Sequence, residues 1–112
     1  MKMPHPGDLR HMVTIGSTVN DVNENGYPEE VDSVLCRVWA GMEDASGRWF
    51  ESADAENAQR GIRFIIRWRS DVRAGMWVEY EGQRHTITEI GEYDFRRRYM
   101  QLTTERVEGV ML

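Results

Sequence analysis

The chain has 112 residues, room for one domain, and carries 14 Lys and Arg against 19 Asp and Glu, a formal net charge of -5. Hydrophobic residues at 40% and charged residues at 29% exclude a wholly disordered polymer, and the single cysteine, Cys36, excludes an intrachain disulfide framework and any multi-cysteine metal site. The acidic balance means that phosphate would be held only by a local basic patch; no run approaches the roughly 20 apolar residues of a membrane-spanning helix, and residues 1–6 lack a signal peptide's apolar core, so a soluble, intracellular protein is expected.

Residues 9–15 alternate, with Leu9, His11, Val13 and Ile15 on one face, and form the first predicted strand. Residues 16–33, rich in Asn, Asp, Glu and Gly, have no hydrophobic period and read as a long polar loop. Loops of that length are uncommon in small domains and are usually either functional or disordered until bound. Its centre, with Asp21, Asn23, Asn25, Gly26, Tyr27 and Pro28, is the candidate docking or gating element. The second strand, 34–43, buries Val34, Cys36, Val38, Ala40 and Met42 and leaves Arg37 and Trp39 opposite. A turn at 44–47 leads to 49–59, where interspersed alanines suit a short helical turn or an ordered loop.

The strongest alternation in the chain follows. Ile62, Phe64, Ile66 and Trp68 share one face, and Arg63, Arg67 and Arg69 the other. Residues 76–80 and 83–90 form a hairpin about Glu81 and Gly82, whose Gly suits a type I′ turn. The opposite parity of Ile87 and Ile90 predicts a bulge or strand end near Glu89. Residues 97–106 are the last strand, with Met100 and Leu102 inward and Tyr99 and Gln101 outward. Residues 1–7 and 107–112 read as loose tails of a single domain spanning 1–112. Six short strands with at most one short helix define an all-β fold, a small antiparallel barrel or sandwich.

No catalytic constellation emerges. His5, His11, His85 and Cys36 lack metal-ligand spacing, no phosphate-binding Gly-rich loop is present, and no Ser or Cys is singled out as a nucleophile. Glu51, Asp54 and Glu56 are the one carboxylate group that could do acid–base work, but in an Ala-rich polar segment they read as a solvated face. The chain is therefore read as a non-enzyme without catalytic, metal or cofactor residues. What remains are interaction features. Trp39 and Trp77 fall opposite the core-facing residues of their strands, and exposed Trp is a common binding hot spot. Arg63, Arg67 and Arg69, with Arg96, Arg97 and Arg98, would form a basic stripe facing either a partner protein or a nucleic acid, the alternative reading being a nucleic-acid-binding barrel.

The landmarks also occur in a recognisable order. Gly7-Asp8-Leu9-Arg10-His11-Met12-Val13-Thr14-Ile15, the polar loop, Val38-Trp39-Ala40-Gly41-Met42-Glu43, Gly47 with Glu51, the Ile62-Arg63-Phe64 strand, and the run from Val78 through Gly82 to Ile90 resemble bacteriophage head-tail joining proteins over residues 7–106. Met12 departs where the family usually has Arg or another polar residue, and His85 where it usually has Tyr. The resemblance implies a small β-barrel that assembles as a homo-oligomeric ring below the portal or adaptor, although single copies in isolation are compatible with it. Such a ring retains or passes the packaged DNA, offers the tail a docking surface and involves no membrane. It further implies a protein of phage or prophage origin, made in the host cytoplasm and ending in the virion.

Overall fold

The computed structural model describes residues 9–44, 49–50, 61–93 and 98–107. Its strands are β1 (His11–Val22), β2 (Pro28–Glu43), β3 (Trp49–Phe50), β4 (Arg63–Arg67), β5 (Trp77–Tyr80), β6 (Gln83–Glu92) and β7 (Tyr99–Arg106). All pairings are antiparallel. They run β1-β5-β6-β7-β4-β2, and β2 returns to β1, so six strands close into a barrel with β3 appended to β2. No helix occurs among the described residues. Most of 49–59, where a helical turn or ordered loop is expected, lies outside them, as do residues 1–8 and 108–112.

The alternation read from sequence builds the barrel interior. Val13, Ile15, Ala40, Met42, Ile62, Phe64, Ile66, Val78, Ile87, Met100 and Leu102 form one buried cluster, with Trp68 packed at its margin. Closure leaves little edge to protect, since most strands have a neighbour on both sides. The Glu81-Gly82 turn has positive φ at both positions, 50° and 79°, as a type I′ turn requires. The register of β6 against β7 shifts between Ile87 and Glu89, leaving Thr88 as the extra residue, and its hydroxyl donates to the Thr103 carbonyl at 3.1 Å.

Two expectations are corrected by a second layer outside the barrel wall. Leu9 does not join Val13 and Ile15, and Tyr99 is not exposed: both are buried with Ile65 and Tyr93 on the outer side of β4 and β7. The cluster covers the face where parity alone predicts solvent. Glu43 is buried beside it, accepting a hydrogen bond from the Tyr93 hydroxyl at 3.3 Å, with Arg63 at 4.0 Å.

The largest correction concerns residues 16–33. They form no long loop. β1 and β2 stay paired out to Val22↔Pro28, and only the turn between them is irregular. Asn23 builds that turn: its side-chain oxygen accepts from the backbone N–H of Asn25 and Tyr27, its carbonyl accepts from Gly26 N–H, and Gly26 supplies the positive φ of 83°. A ribbon wet on both faces has no buried side to impose alternation. Its register comes from the turn, and polar residues suffice to build it. At about 3.4 Å per residue the 16-residue β2 alone is about 54 Å long, which matches the molecule's dimensions of 52 × 31 × 20 Å.

Candidate functional site

The ribbon leaves the barrel at a kink. The β1–β2 register shifts between Ile15 and Gly16, where Ile15 faces Cys36 and Gly16 faces Val34, so Leu35 is the bulged residue. Gly16 also meets Trp77 across the β1–β5 ladder. A Cβ there would sit 2.5 Å from the Ser33 carbonyl oxygen and 2.8 Å from two atoms of the Trp77 ring, so only glycine fits.

Trp77, an expected exposed contact residue, is instead 5% exposed. The ribbon base covers it: its indole N–H donates to the Thr18 hydroxyl at 3.1 Å, and the Arg84 guanidinium lies 3.9 Å from the ring centroid. Arg84 also grips Asp32 through two nitrogens at 3.0 and 3.3 Å and reaches Glu79 at 3.3 Å. The guanidinium, followed by the Thr18 hydroxyl, holds the Asp32 carboxyl below its usual range. Thr18, Asp32, Trp77 and Arg84 thus pin the ribbon's direction to the barrel wall. Sequence reasoning missed all but Trp77, because the four come together only through the fold.

Beyond this latch the ribbon is bare. Every large hydrophobic side chain exposed among the described residues belongs to the β1–β2 hairpin: Val19, Val22, Tyr27, Val31, Val34, Leu35 and Trp39. Residues 16–35 contain five acids, Asp21, Glu24, Glu29, Glu30 and Asp32, and no Lys or Arg. That equals the net charge of the whole chain, so the rest is balanced. The expected docking residues Asp21, Asn23, Asn25, Gly26, Tyr27 and Pro28 do come together, as the ribbon tip, with Tyr27 exposed.

Two of the described arginines of the expected stripe are already engaged. Arg63 is half-buried against Glu43, and Arg69 is held by Asp71 through paired hydrogen bonds of 3.0 and 2.9 Å. Arg96 and Arg97 lie outside the described residues, and Arg98 is exposed at the start of β7, its carbonyl accepting from Trp68 N–H. Arg67 alone remains open on the outer face of β4. Trp39 is exposed as expected, at 55%, on the outer face of β2 with Arg37 two residues away.

No chemistry gathers elsewhere among the described residues. No group of three or more His, Cys, Asp or Glu side chains is placed to hold a metal, and no helix is long and apolar enough to cross a membrane. Burial pushes the Cys36 thiol above its usual range, away from the reactive thiolate. Glu51, Asp54 and Glu56 lie outside the described residues.

A closed barrel with a pinned, acidic ribbon is an assembly module: beyond the latch its large apolar side chains face outward. The chain belongs to the phage head completion protein family, which it matches over residues 4–107, and its role is structural, in the phage head. No curated protein matches it in sequence. Two solved structures share the fold. The solution structure of protein SF1141 from Shigella flexneri 2a is 19% identical and superposes with a TM-score of 0.68, over 95% of this chain and 99% of that one. A chain of the native gene transfer agent virion is 15% identical, with a TM-score of 0.59 over 88% and 94%.

Proposed function

We propose that this head completion protein closes the DNA-filled capsid beneath the portal or adaptor and gives the tail its docking surface, acting as a ring of identical copies in the virion after synthesis in the host cytoplasm. The observation that carries this reading is the ribbon. A barrel that needed only to be stable would not hold out a two-stranded arm bearing all but one, Trp39, of the large hydrophobics exposed among the described residues. The tip, from Asp21 to Pro28, is the element that meets the channel or the next component. Its acids suit a conduit, since carboxylates gain nothing from DNA phosphates that must slide past, whereas cations would bind them through counterion release.

A nucleic-acid-binding barrel, the other reading, is less favoured, because Arg63 and Arg69 are already engaged by Glu43 and Asp71. The test is to replace residues 21–28 by a two-residue turn in the phage that carries this gene. The barrel should still fold, while DNA-filled heads accumulate without tails or leak their DNA. Unchanged virion yield would overturn the proposal.

A further inference from the structure

Two surfaces of the β1–β2 hairpin complement each other, and they lie at opposite ends of it. On the ribbon, directly opposed residues share a face, so Val19↔Val31 and Asp21↔Glu29 are successive rungs of one side. Val19 is 46% and Val31 37% exposed. Asp21 and Glu29 form no ion pair among the described residues. Like charges directly opposed across a ladder are unfavourable unless a cation comes between them. The ribbon therefore presents an apolar pair followed, about 7 Å along the strand, by an uncompensated acid pair.

The body presents the converse. Trp39 stands exposed on the outer face of β2, with Arg37 two residues, again about 7 Å, along the same strand and the same face. Arg67 on β4 and Trp39 on β2 each lie two residues beyond the last β2–β4 pair, Gly41↔Ile65, and share its outward parity. Neither Arg37 nor Arg67 makes an ion pair among the described residues. An exposed indole with two open guanidiniums on its face complements an apolar rung followed by two carboxylates in charge, and the step from Trp39 to Arg37 repeats the spacing from the apolar rung to the acid rung.

We infer that the Val19, Val31, Asp21 and Glu29 side of one copy's ribbon seats on the Trp39, Arg37 and Arg67 face of a second copy. This rests on the ring reading above and names its seam. The occupant is a second copy because the chain holds both halves of the contact in equal number. Laying ribbon on ribbon would oppose acid to acid, whereas ribbon on face, repeated in one direction from copy to copy, is a heterologous contact of the kind that closes rings. The contact uses the flank of the ribbon and, at Asp21, the first residue of the tip, and residues Asn23 to Pro28 stay available for the neighbouring component. Nucleic acid fits the patch less well, because a phosphate backbone would also meet the acidic ribbon carried by every copy.

The test uses two full-length variants, each with one half of the contact. Asp21→Lys with Glu29→Lys keeps the face and loses the ribbon side, and Trp39→Ala with Arg67→Ala does the reverse. All four positions are exposed, and near-ultraviolet circular dichroism checks that both variants fold. In sedimentation velocity at millimolar concentration and low salt, each alone should be monomeric, and their mixture should give a 1:1 complex that added salt weakens. In the wild type, Trp39→Ala alone should weaken self-association roughly tenfold or more. The inference is overturned if the mixture stays monomeric, if wild-type self-association is indifferent to both variants, or if the Trp39 face instead binds a single-stranded oligonucleotide in a salt-sensitive way that Trp39→Ala with Arg67→Ala abolishes. A ring seen in virions beside a monomeric mixture would sink this seam and leave the connector reading standing.

Discussion

His85 should make the protein acid-sensitive, and replacing it should remove most of that sensitivity. It stands on β6 between Val78 and Arg106, fully buried, with its ring 5.6 Å from Phe64 at 65°. Neither ring nitrogen has a hydrogen-bond partner among the described residues. Burial, aided by the positive charge of Arg106, lowers its pKa from 6.5 to about 4. The unfolded chain therefore binds the proton first, and stability is complete above pH 6.5 and is lost as pH falls toward 4. At about 1.4 kcal/mol per pH step, the loss at pH 4 is about 3 kcal/mol, a fall in Tm of roughly 10–20 °C for a domain of this size. Three carboxyls titrate nearby in pH. Burial raises Glu43, whose contribution weakens as pH rises through the folded value; Arg84 lowers Asp32 and Arg69 lowers Asp71, and their contributions disappear only below the ordinary carboxylate range. All three are present in wild type and His85→Leu alike, so the difference between two unfolding profiles followed by Trp fluorescence isolates His85. His85→Leu should match or exceed wild-type stability at pH 7, because it removes two unsatisfied buried nitrogens, and the gap should widen by about 3 kcal/mol at pH 4. Parallel profiles from pH 7 to 4, or a His85 ring titrating near 6.5 by NMR, would refute the reasoning.

Arg84→Ala should free the ribbon without opening the barrel. Amide exchange should quicken over residues 17–33 and stay slow in β4 and β7, Trp77 emission should shift to the red, and stability should drop by about 1–2 kcal/mol. Arg84→Lys should not rescue it, since an ammonium cannot hold both Asp32 oxygens while lying over the indole. Gly16→Ala should cost about 1–3 kcal/mol in urea unfolding, because the methyl meets a backbone oxygen and a buried ring. At Gly26, where nothing lies within 4 Å of an added Cβ, Ala should cost only about 1 kcal/mol of backbone strain.

What the residues announced, and what they hid, follows from where each strand's faces point. Ile62, Phe64 and Ile66 are legible because one side of β4 is buried and the alternation records it. The Glu81-Gly82 turn and the bulge at Thr88 are legible because local backbone demands and parity are written in adjacent residues. The ribbon reads as a loop in the sequence because neither of its faces is buried, so no period marks it, and Asn23, Asn25 and Gly26 look like part of that loop rather than the turn joining two strands. Parity correctly points Trp77 and Tyr99 outward, and both are covered all the same, the first by the ribbon base and the second by Leu9, Ile65 and Tyr93. Coverage by segments far away in the chain leaves no trace in a local pattern. Trp39 and Arg67 were both named as contact residues, and the fold sets them on one face. Arg37 shares the outward parity of Trp39 in the sequence, whereas Val19 and Val31, which complete the complementary surface, carry no signal without the β1–β2 register.

The central claim is that this chain is the subunit that closes the head, and imaging the neck of intact virions by electron cryomicroscopy tests it most directly. The account predicts a ring of these barrels directly below the portal or adaptor, each with its ribbon laid toward the next copy and the acidic tips at the channel or the tail. Virions whose neck density has no place for this barrel, or in which it lies elsewhere in the particle, would contradict it.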